Sequence, residues 1–241
     1  MTSSLYRRRD TCRLCSSTHL TKVLSLTPTP PANAFVADTA LDKKQPTFPL
    51  DLFFCEDCTH VQLLDVVDPE LLFANYVYVS GTSPVFVKHF QDYASNIAEH
   101  FVDNPSNGLA VDIGSNDGTL LAQFKSLGLD VLGIDPAREI ARQATVNGIE
   151  TWPEFFSVDL AAKILAERGQ AKVVTANNVF AHADDLAGIT KGVRSLLAPD
   201  GVFVFEVSYL VDVFEKTLFI FVLVSVSKLK ADVNPKVLQE K

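Results

Sequence analysis

Eight residues, Val111-Asp112-Ile113-Gly114-Ser115-Asn116-Asp117-Gly118, constrain the fold of this chain more than any others. They follow the apolar pair Leu109-Ala110 and open the amphipathic segment Thr119 to Leu127, so a strand, a glycine turn and a helix start are written consecutively. Gly114 lets the chain leave the strand by a turn that needs no Cβ, and Gly118 is read as letting the helix N-terminus approach a ligand closely. Seventeen residues after Gly118, the apolar run Val131-Leu132-Gly133-Ile134 ends on Asp135. An acid at the end of the second strand is where such folds bind a ribose diol.

The spacing narrows the ligand. A dinucleotide fingerprint reads G-x-G-x-x-G, with glycines close enough for backbone N–H groups to cradle a pyrophosphate. Here the pattern is D-x-G-x-x-x-G, looser and carrying the acid Asp112. That suits a ligand without a pyrophosphate and with a positive charge, as in S-adenosylmethionine. Alone the pattern is weak, because a chance strand-turn-helix reads the same way; Asp135 and the βαβ context strengthen it. The stretch resembles the first motif of the class I S-adenosylmethionine-dependent methyltransferases. That resemblance makes Asp135 the ribose-binding acid.

Four cysteines are the whole complement, in two pairs, Cys12-Arg13-Leu14-Cys15 and Cys55-Glu56-Asp57-Cys58. Two C-x-x-C knuckles supply the four thiolates of a closed structural zinc site, with no position left for a catalytic water. The alternatives are two disulfides, disfavoured in a reducing compartment, and a redox dithiol, which needs only one pair beside a thioredoxin-like unit. His60 is read as a neighbour of the site and not a ligand. The Pro-rich stretch from Thr27 to Pro49 reads as irregular, followed by a short strand over Leu50 to Phe54. A module this small has a thin core that a metal supplements.

With 241 residues, 47% of them hydrophobic, the chain is long enough to bury a core. A net charge of −8 is a poor match for a phosphate backbone, so nucleic acid is not an expected partner. Arg7-Arg8-Arg9 is read as a solvated terminal run. No apolar stretch of about 20 residues is present to span a bilayer, and no secretory signal opens the chain, so no membrane partner and a cytoplasmic location are expected.

Ser83 and Pro84 open a helix whose apolar positions Phe86, Phe90, Tyr93, Ile97 and Phe101 mark one buried face. Beyond the loop at 103–108, strands over Leu109–Ile113, Val131–Ile134, Ile149–Thr151, Lys172–Ala176 and Val202–Val207 alternate with helices over Gly118–Leu127, Pro136–Asn147, Val158–Arg168 and Leu186–Leu197. Strict alternation predicts an α/β fold, a Rossmann-like, mostly parallel sheet with helices on both faces, preceded by the zinc module. The expected divisions are 1–68 for the module, 69–108 for a connecting segment and helix, 109–219 for the cofactor domain and 220–241 for a divergent tail. Ligands bind such sheets at the carboxyl ends of the strands, so Asp112, Asp135, Asn177 and Glu206 should share one rim. After the fourth strand comes Asn177-Asn178-Val179-Phe180-Ala181-His182; a lone histidine such as His182 is usually structural, and packing is the plainer reading for Tyr76 and Tyr78.

The order of these features, the two knuckles, Tyr76 to Ser83, Asp112 to Gly118, Gly133 to Ala137 and Asn177 to His182, resembles the sugar C-methyltransferases over about residues 10 to 219. Those enzymes methylate carbon 3 of nucleotide-linked 4-keto deoxysugars. The resemblance implies Tyr76 and His182 in the substrate site, Asp112 and Gly114 at the methionine end, and Asn116, Gly118, Asp135 and Asn177 elsewhere in the cofactor site. It implies S-adenosyl-L-methionine and structural zinc as cofactors and a nucleotide-sugar as substrate partner. Phe155 and Phe156 are candidate walls for adenine, with core packing the equal alternative. After Phe219 the chain departs from the family pattern, which continues into a Tyr-His-Glu-His run supplying the main base and then a substrate domain; the expectation is a truncated or frame-shifted end, with Leu218 to Val226 as a candidate strand. Competing readings are a non-catalytic S-adenosylmethionine-binding protein and a zinc-knuckle interaction protein. The sugar and the oligomeric state are not legible.

Overall fold

The computed structural model describes residues 5–32, 34–103, 108–208, 210–215, 223–227 and 237–238. The chain divides into two compact units, Met1–Tyr78 and Val79–Lys241.

The first unit is built on antiparallel strands. β1 (Tyr6–Arg8) pairs with β5 (Asp65–Val67), and β2 (Leu20–Thr29), β3 (Phe48–Cys55) and β4 (Val61–Leu63) form a three-stranded sheet with β3 in the middle. A short helix α1 (Pro69–Phe73) follows, capped by Asp68, whose carboxylate accepts the Glu70 N–H. Two expectations are corrected here. The stretch read as irregular contains the end of β2: Pro28 lies within that strand, tolerated because β2 is an edge and a missing donor there costs no ladder bond. The arginine run is not a free tail. Arg8 ion-pairs with the buried Asp65 at 2.5 Å and lies over the Phe53 ring, because a buried carboxylate needs a cation within reach.

The second unit carries one seven-stranded sheet in the order β12-β11-β10-β9-β6-β7-β8: β6 (Leu109–Ile113), β7 (Asp130–Ile134), β8 (Thr151–Trp152), β9 (Ala171–Asn177), β10 (Leu197–Val207), β11 (Leu223–Ser227) and β12 (Val237–Leu238). The strands from β8 through β10 are parallel, and β11 and β12 add antiparallel pairs at one edge. Of the segment expected as a strand after Leu218, residues 223–227 are strand, and 218–222 lie outside the described residues. So do 104–107 of the expected loop.

Strand side chains alternate between faces and so divide the core in two. On one face, Ala110, Val131, Val173, Val202 and Val204 meet α2 (Pro84–Phe101) and α3 (Thr119–Ser126) through Phe90, Tyr93, Ile97, Leu121 and Phe124. On the other, Val111, Ile113, Leu132, Val174 and Phe203 meet α5 (Val158–Arg168) and α6 (Leu186–Leu196) through Leu160, Ile164, Val193 and Leu196. Covering both faces is what lets β6 be buried along its whole length. Helix α4 (Arg138–Val146) ties to β8, where the Thr145 hydroxyl donates to the Thr151 carbonyl at 3.3 Å. Strand order reverses direction between β6 and β9, which places a ligand crevice at the carboxyl ends of those two strands. Among the described residues no helix is long and apolar enough to cross a membrane.

Candidate cofactor and metal sites

The turn after β6 is held from β7. Gly114 adopts φ 72°, and the N–H groups of Gly114 and Ser115 both donate to the Ile134 carbonyl, at 2.7 and 3.2 Å. A Cβ on Gly114 would overlap the Val179 side chain, so the loop after β9 closes directly on this turn. Asn116, at φ 53°, donates its N–H to Asp135 Oδ2 at 2.7 Å, and Asp135 Oδ1 accepts from Ala137 N–H at 2.8 Å. Asp135 therefore organises the turn as well as facing it. A carboxylate has about four lone-pair sites, so two remain for a diol.

Gly118 also packs the start of α3 against the core. Its φ of 77° requires glycine, and a Cβ there would lie 2.8 Å from Ile149 Cγ2, so this residue serves helix-to-core packing. Asp117 supplies the cap, accepting from the N–H and hydroxyl of Thr119. The Asn116 and Asp117 side chains also receive the Ser80 and Gly81 N–H groups at 3.0 and 2.9 Å.

Behind the turn lies a polar layer on the α2 side of the sheet. Asp112 is 4% exposed and accepts the Thr175 hydroxyl at 2.6 Å. Burial pushes its pKa up to about 7; the Thr175 bond opposes this, and Asp135 and Glu206 add to it. Asp135 and Glu206 are likewise raised, by burial first. Asn177 Oδ1 accepts from both Tyr93 hydroxyl and Glu206 N–H at 3.1 Å, while its Nδ2 is buried with no partner among the described residues. Glu206, 1% exposed, receives His89 Nε2 at 2.6 Å. Of the expected rim residues, Asn177 pairs with Glu206 and Asp112 with Thr175 across the sheet, and Asp135 follows the end of β7. A buried group of acids with an orphaned amide donor fits a ligand that is cationic and also carries acceptors.

Sequence reasoning missed Thr175, Tyr93 and His89 as members of this layer. Thr175 was legible as the same-face neighbour of Asn177 two residues on; His89 and Tyr93 were legible as an i, i+4 pair beside an otherwise apolar stripe. His182 ends a 3-10 turn and is exposed at its surface, and desolvation by the surrounding chain lowers its pKa, leaving a neutral imidazole near pH 7. Phe155 is 36% exposed, whereas Phe156 packs on the α5–α6 core, so of the two only Phe155 remains available as a wall. Tyr76 belongs to the first unit, where its ring meets Phe73 edge-on at 6.3 Å.

The first unit gathers Cys12, Cys15, Cys55 and Cys58, with all four sulfurs within 4.8 Å of one another. The Cys12–Cys58 and Cys15–Cys55 sulfurs are 3.7 and 3.6 Å apart. Zinc–thiolate bonds of about 2.3 Å in a tetrahedron put sulfurs roughly 3.8 Å apart, so the set fits that ion. The two knuckles are copies of one turn. Ser16 and Thr59 donate N–H to the Cys12 and Cys55 carbonyls, and Cys12 and Cys55 donate to the Ser17 and His60 carbonyls. Ser16 and Thr59 both sit at positive φ, 63° and 62°. The β2–β3 ladder sets Leu20 opposite Cys55 and brings the copies together.

Four thiols this close cannot all ionise alone. Burial raises the Cys12 thiol, but the Cys15 and Leu14 N–H groups and the Gln62 amide outweigh it and bring its pKa to about 6. At Cys58 the His60 N–H acts downward, yet burial and the three neighbouring sulfurs push it up to about 12. A dication removes that conflict. Gln62, 4% exposed, was not singled out by sequence. Its Oε1 accepts from Arg13 N–H at 3.0 Å, and its amide nitrogen is buried with no hydrogen-bond partner among the described residues.

Comparison with known proteins follows this division. Residues 86–227 match a family model described as "Methyltransferase domain", and residues 12–73 match one described as "Putative zinc binding domain". The chain belongs to the methyltransferase domain family. The C-methyltransferase NovU of Streptomyces niveus is 34% identical over 215 residues, 89% of this chain and 51% of that protein. The ubiquinone biosynthesis O-methyltransferase of Ralstonia nicotianae is 31% identical over 93 residues, 38% of this chain and 39% of that one. This methyltransferase chain therefore spans about half the length, or less, of these curated relatives. Among solved structures, the PH0226 protein of Pyrococcus horikoshii OT3 aligns with a TM-score of 0.46 at 18% identity, covering 58% of this chain and 62% of that one.

Proposed function

We propose that the chain carries the zinc module and the cofactor domain of an S-adenosylmethionine-dependent C-methyltransferase acting on a nucleotide-linked keto-deoxysugar. The observation that carries this reading is Asp112, a buried acid beside the glycine turn whose environment holds further acids and no lysine or arginine contribution. A ligand with an α-ammonium group and a sulfonium answers that charge. Gly114 and Asp112 would receive the methionine end, Asp135 the ribose hydroxyls, and Phe155 the adenine face. Asn116, Gly118 and Asn177 would shape the site from the turn and from β9. The bound cofactor supplies an electrophilic methyl group on a positively charged sulfur.

The substrate reading draws on the likeness to NovU across nearly the whole chain. A hydrogen beside a ketone is acidic because the resulting carbanion delocalises onto the carbonyl oxygen as an enolate, so the protein must remove a proton and hold that charge. His182, neutral near pH 7 and at the exit of β9, would line the substrate side. The cysteines would hold zinc for structure, since all four ligand positions are filled.

Calorimetric titration with S-adenosylhomocysteine tests the cofactor assignment. Asp112→Asn keeps the acceptor for Thr175 and removes the charge, so it should weaken binding about tenfold or more. Equal affinity in the two proteins would remove Asp112 from the site, and no binding by the folded, zinc-loaded wild type would end the reading.

A further inference from the structure

Asn177, at the end of β9, is held by one end of its side chain only. Its Oδ1 accepts from the Tyr93 hydroxyl and from the Glu206 N–H, both at 3.1 Å. A backbone N–H can only donate, so the atom facing Glu206 is the oxygen and the orientation of the amide is decided. The Asn178 N–H donates back to the Glu206 carbonyl at 2.7 Å, and the Glu206 carboxylate is itself gripped by His89 Nε2 at 2.6 Å. Burial first, then the charges of Glu206 and Asp112, hold the Tyr93 phenol well above its ordinary pKa, so it stays a neutral donor. The opposite end of the amide, Nδ2, is buried and has no hydrogen-bond partner; among the described residues it is the one side-chain nitrogen of the second unit in that state. A buried donor without an acceptor is destabilising, so the position calls for an oxygen that a ligand can bring.

We propose that Tyr93 is a positioning residue for the cofactor: together with the Glu206 N–H it sets the Asn177 carboxamide so that Nδ2 receives the α-carboxylate of the methionine end. The inference rests on the reading that places that end at Asp112, and it adds the group that meets the opposite charge. An amino-acid end carries its ammonium and its carboxylate on one carbon. Asp112 answers the ammonium, but Asp112 and Glu206 are both buried acids and repel the carboxylate. Asn177 stands on β9, the strand between those of Asp112 and Glu206, two residues beyond the Thr175 that holds Asp112 and paired with Glu206 across the ladder. A neutral donor at that point meets a carboxylate without neutralising the acids on either side, which a lysine or arginine would do by pairing with them. Tyr93 matters because an amide free to turn would present Oδ1 as readily as Nδ2, and an oxygen there repels the carboxylate.

The test compares two ligands by calorimetric titration of the full, zinc-loaded chain: S-adenosylhomocysteine, and its decarboxylated analogue, in which hydrogen replaces the α-carboxyl group. Wild type should favour S-adenosylhomocysteine by about tenfold or more. Tyr93→Phe keeps the ring in the core and removes only the hydroxyl; it should cut that preference about fivefold while the affinity for the analogue stays within about twofold. Asn177→Ala should abolish the preference, and adding Tyr93→Phe to it should change nothing further, because the hydroxyl then has no amide to orient. Asn177→Asp keeps an acceptor for both donors and sets a carboxylate against the ligand's own, so S-adenosylhomocysteine should weaken by roughly 100-fold and the analogue far less. Equal losses for the two ligands in Tyr93→Phe would leave that residue a structural role alone and overturn the proposal. So would a wild type that binds both ligands equally, or a preference that survives Asn177→Ala. A folded wild type that binds neither ligand instead strikes the underlying reading of the cofactor site, so the two failures are told apart.

Discussion

The knuckle unit and the cofactor unit both bend their chains through left-handed residues, but they hold those bends in opposite ways. In the knuckle unit, Ser16 and Thr59 stand at positive φ without being glycine, and the buried apolar side chains among the described residues are few: Cys12, Phe48, Cys55, Leu64 and Ala74. Strand β2 is exposed along almost its whole length. In the cofactor unit Asn116 and Asn178 also stand at positive φ, but the two ends of the turn, Gly114 and Gly118, are glycines, and each is locked by a packed apolar neighbour, Val179 or Ile149. The first unit tolerates strain because four sulfurs around one ion can impose it. The second imposes its turn through a core that closes on both faces of a sheet.

Metal removal should separate the two most sharply. Chelation of the full chain, or Cys55→Ser, withdraws a contribution on the order of 10 kcal/mol from the knuckle unit. Hydrogen exchange across β2–β4 should rise to the unprotected rate while β6, β7 and β9 stay protected; protection retained in β2–β4 would break the comparison. Next in size is Gly114→Ala, which adds left-handed strain of about 1–2 kcal/mol to the overlap with Val179. Thermal unfolding should show the second unit destabilised by about 3–4 kcal/mol in all, and S-adenosylhomocysteine binding should be lost.

The buried acids sharpen the contrast through pH. The Asp112 pKa is raised to about 7 in the folded chain, so its contribution is fully present below about pH 4 and is lost as pH rises through 7. The wild-type second unit should therefore lose on the order of 2–4 kcal/mol relative to Asp112→Asn between pH 5 and pH 8, read as diverging unfolding midpoints. Parallel profiles would show that the acid is solvated. Smaller again is Gln62→Leu. Removing the side-chain acceptor that holds the Arg13 N–H inside the first knuckle should speed zinc release to a chromogenic chelator about tenfold with strand content unchanged by circular dichroism. Smallest is Thr59→Gly, which relieves a β-branched residue at φ 62° and should stabilise the zinc-loaded knuckle unit by about 1 kcal/mol.

What was legible in the sequence follows the same division. The order and faces of β6 to β10 could be read because apolar periodicity in a doubly covered sheet is set by residues near one another in the chain. The strand expected at Ile149–Thr151 forms at Thr151–Trp152, with Ile149 instead packing under Gly118. Cysteine spacing gave the metal ligands. It could not give β2, whose side chains show no buried face, nor the pairing of Arg8 with Asp65 across 57 residues, because neither leaves a local pattern. At the candidate site, Asp112, Gly114, Asp135 and Asn177 carried a recognisable motif. His89, Thr175 and Gln62 did not, since each matters only through a partner that folding brings to it from another element.

The knuckle ladder has a consequence for supply. Because Cys12 and Cys58 lie 46 residues apart with their sulfurs 3.7 Å from each other, an ion held between them acts as a removable crosslink over most of the first unit. The fraction of chains with that unit ordered then follows the free zinc concentration by mass action. Below the dissociation constant, a cell holding ample protein and cofactor would still hold few fully ordered chains, and the population would track zinc availability without any change in expression.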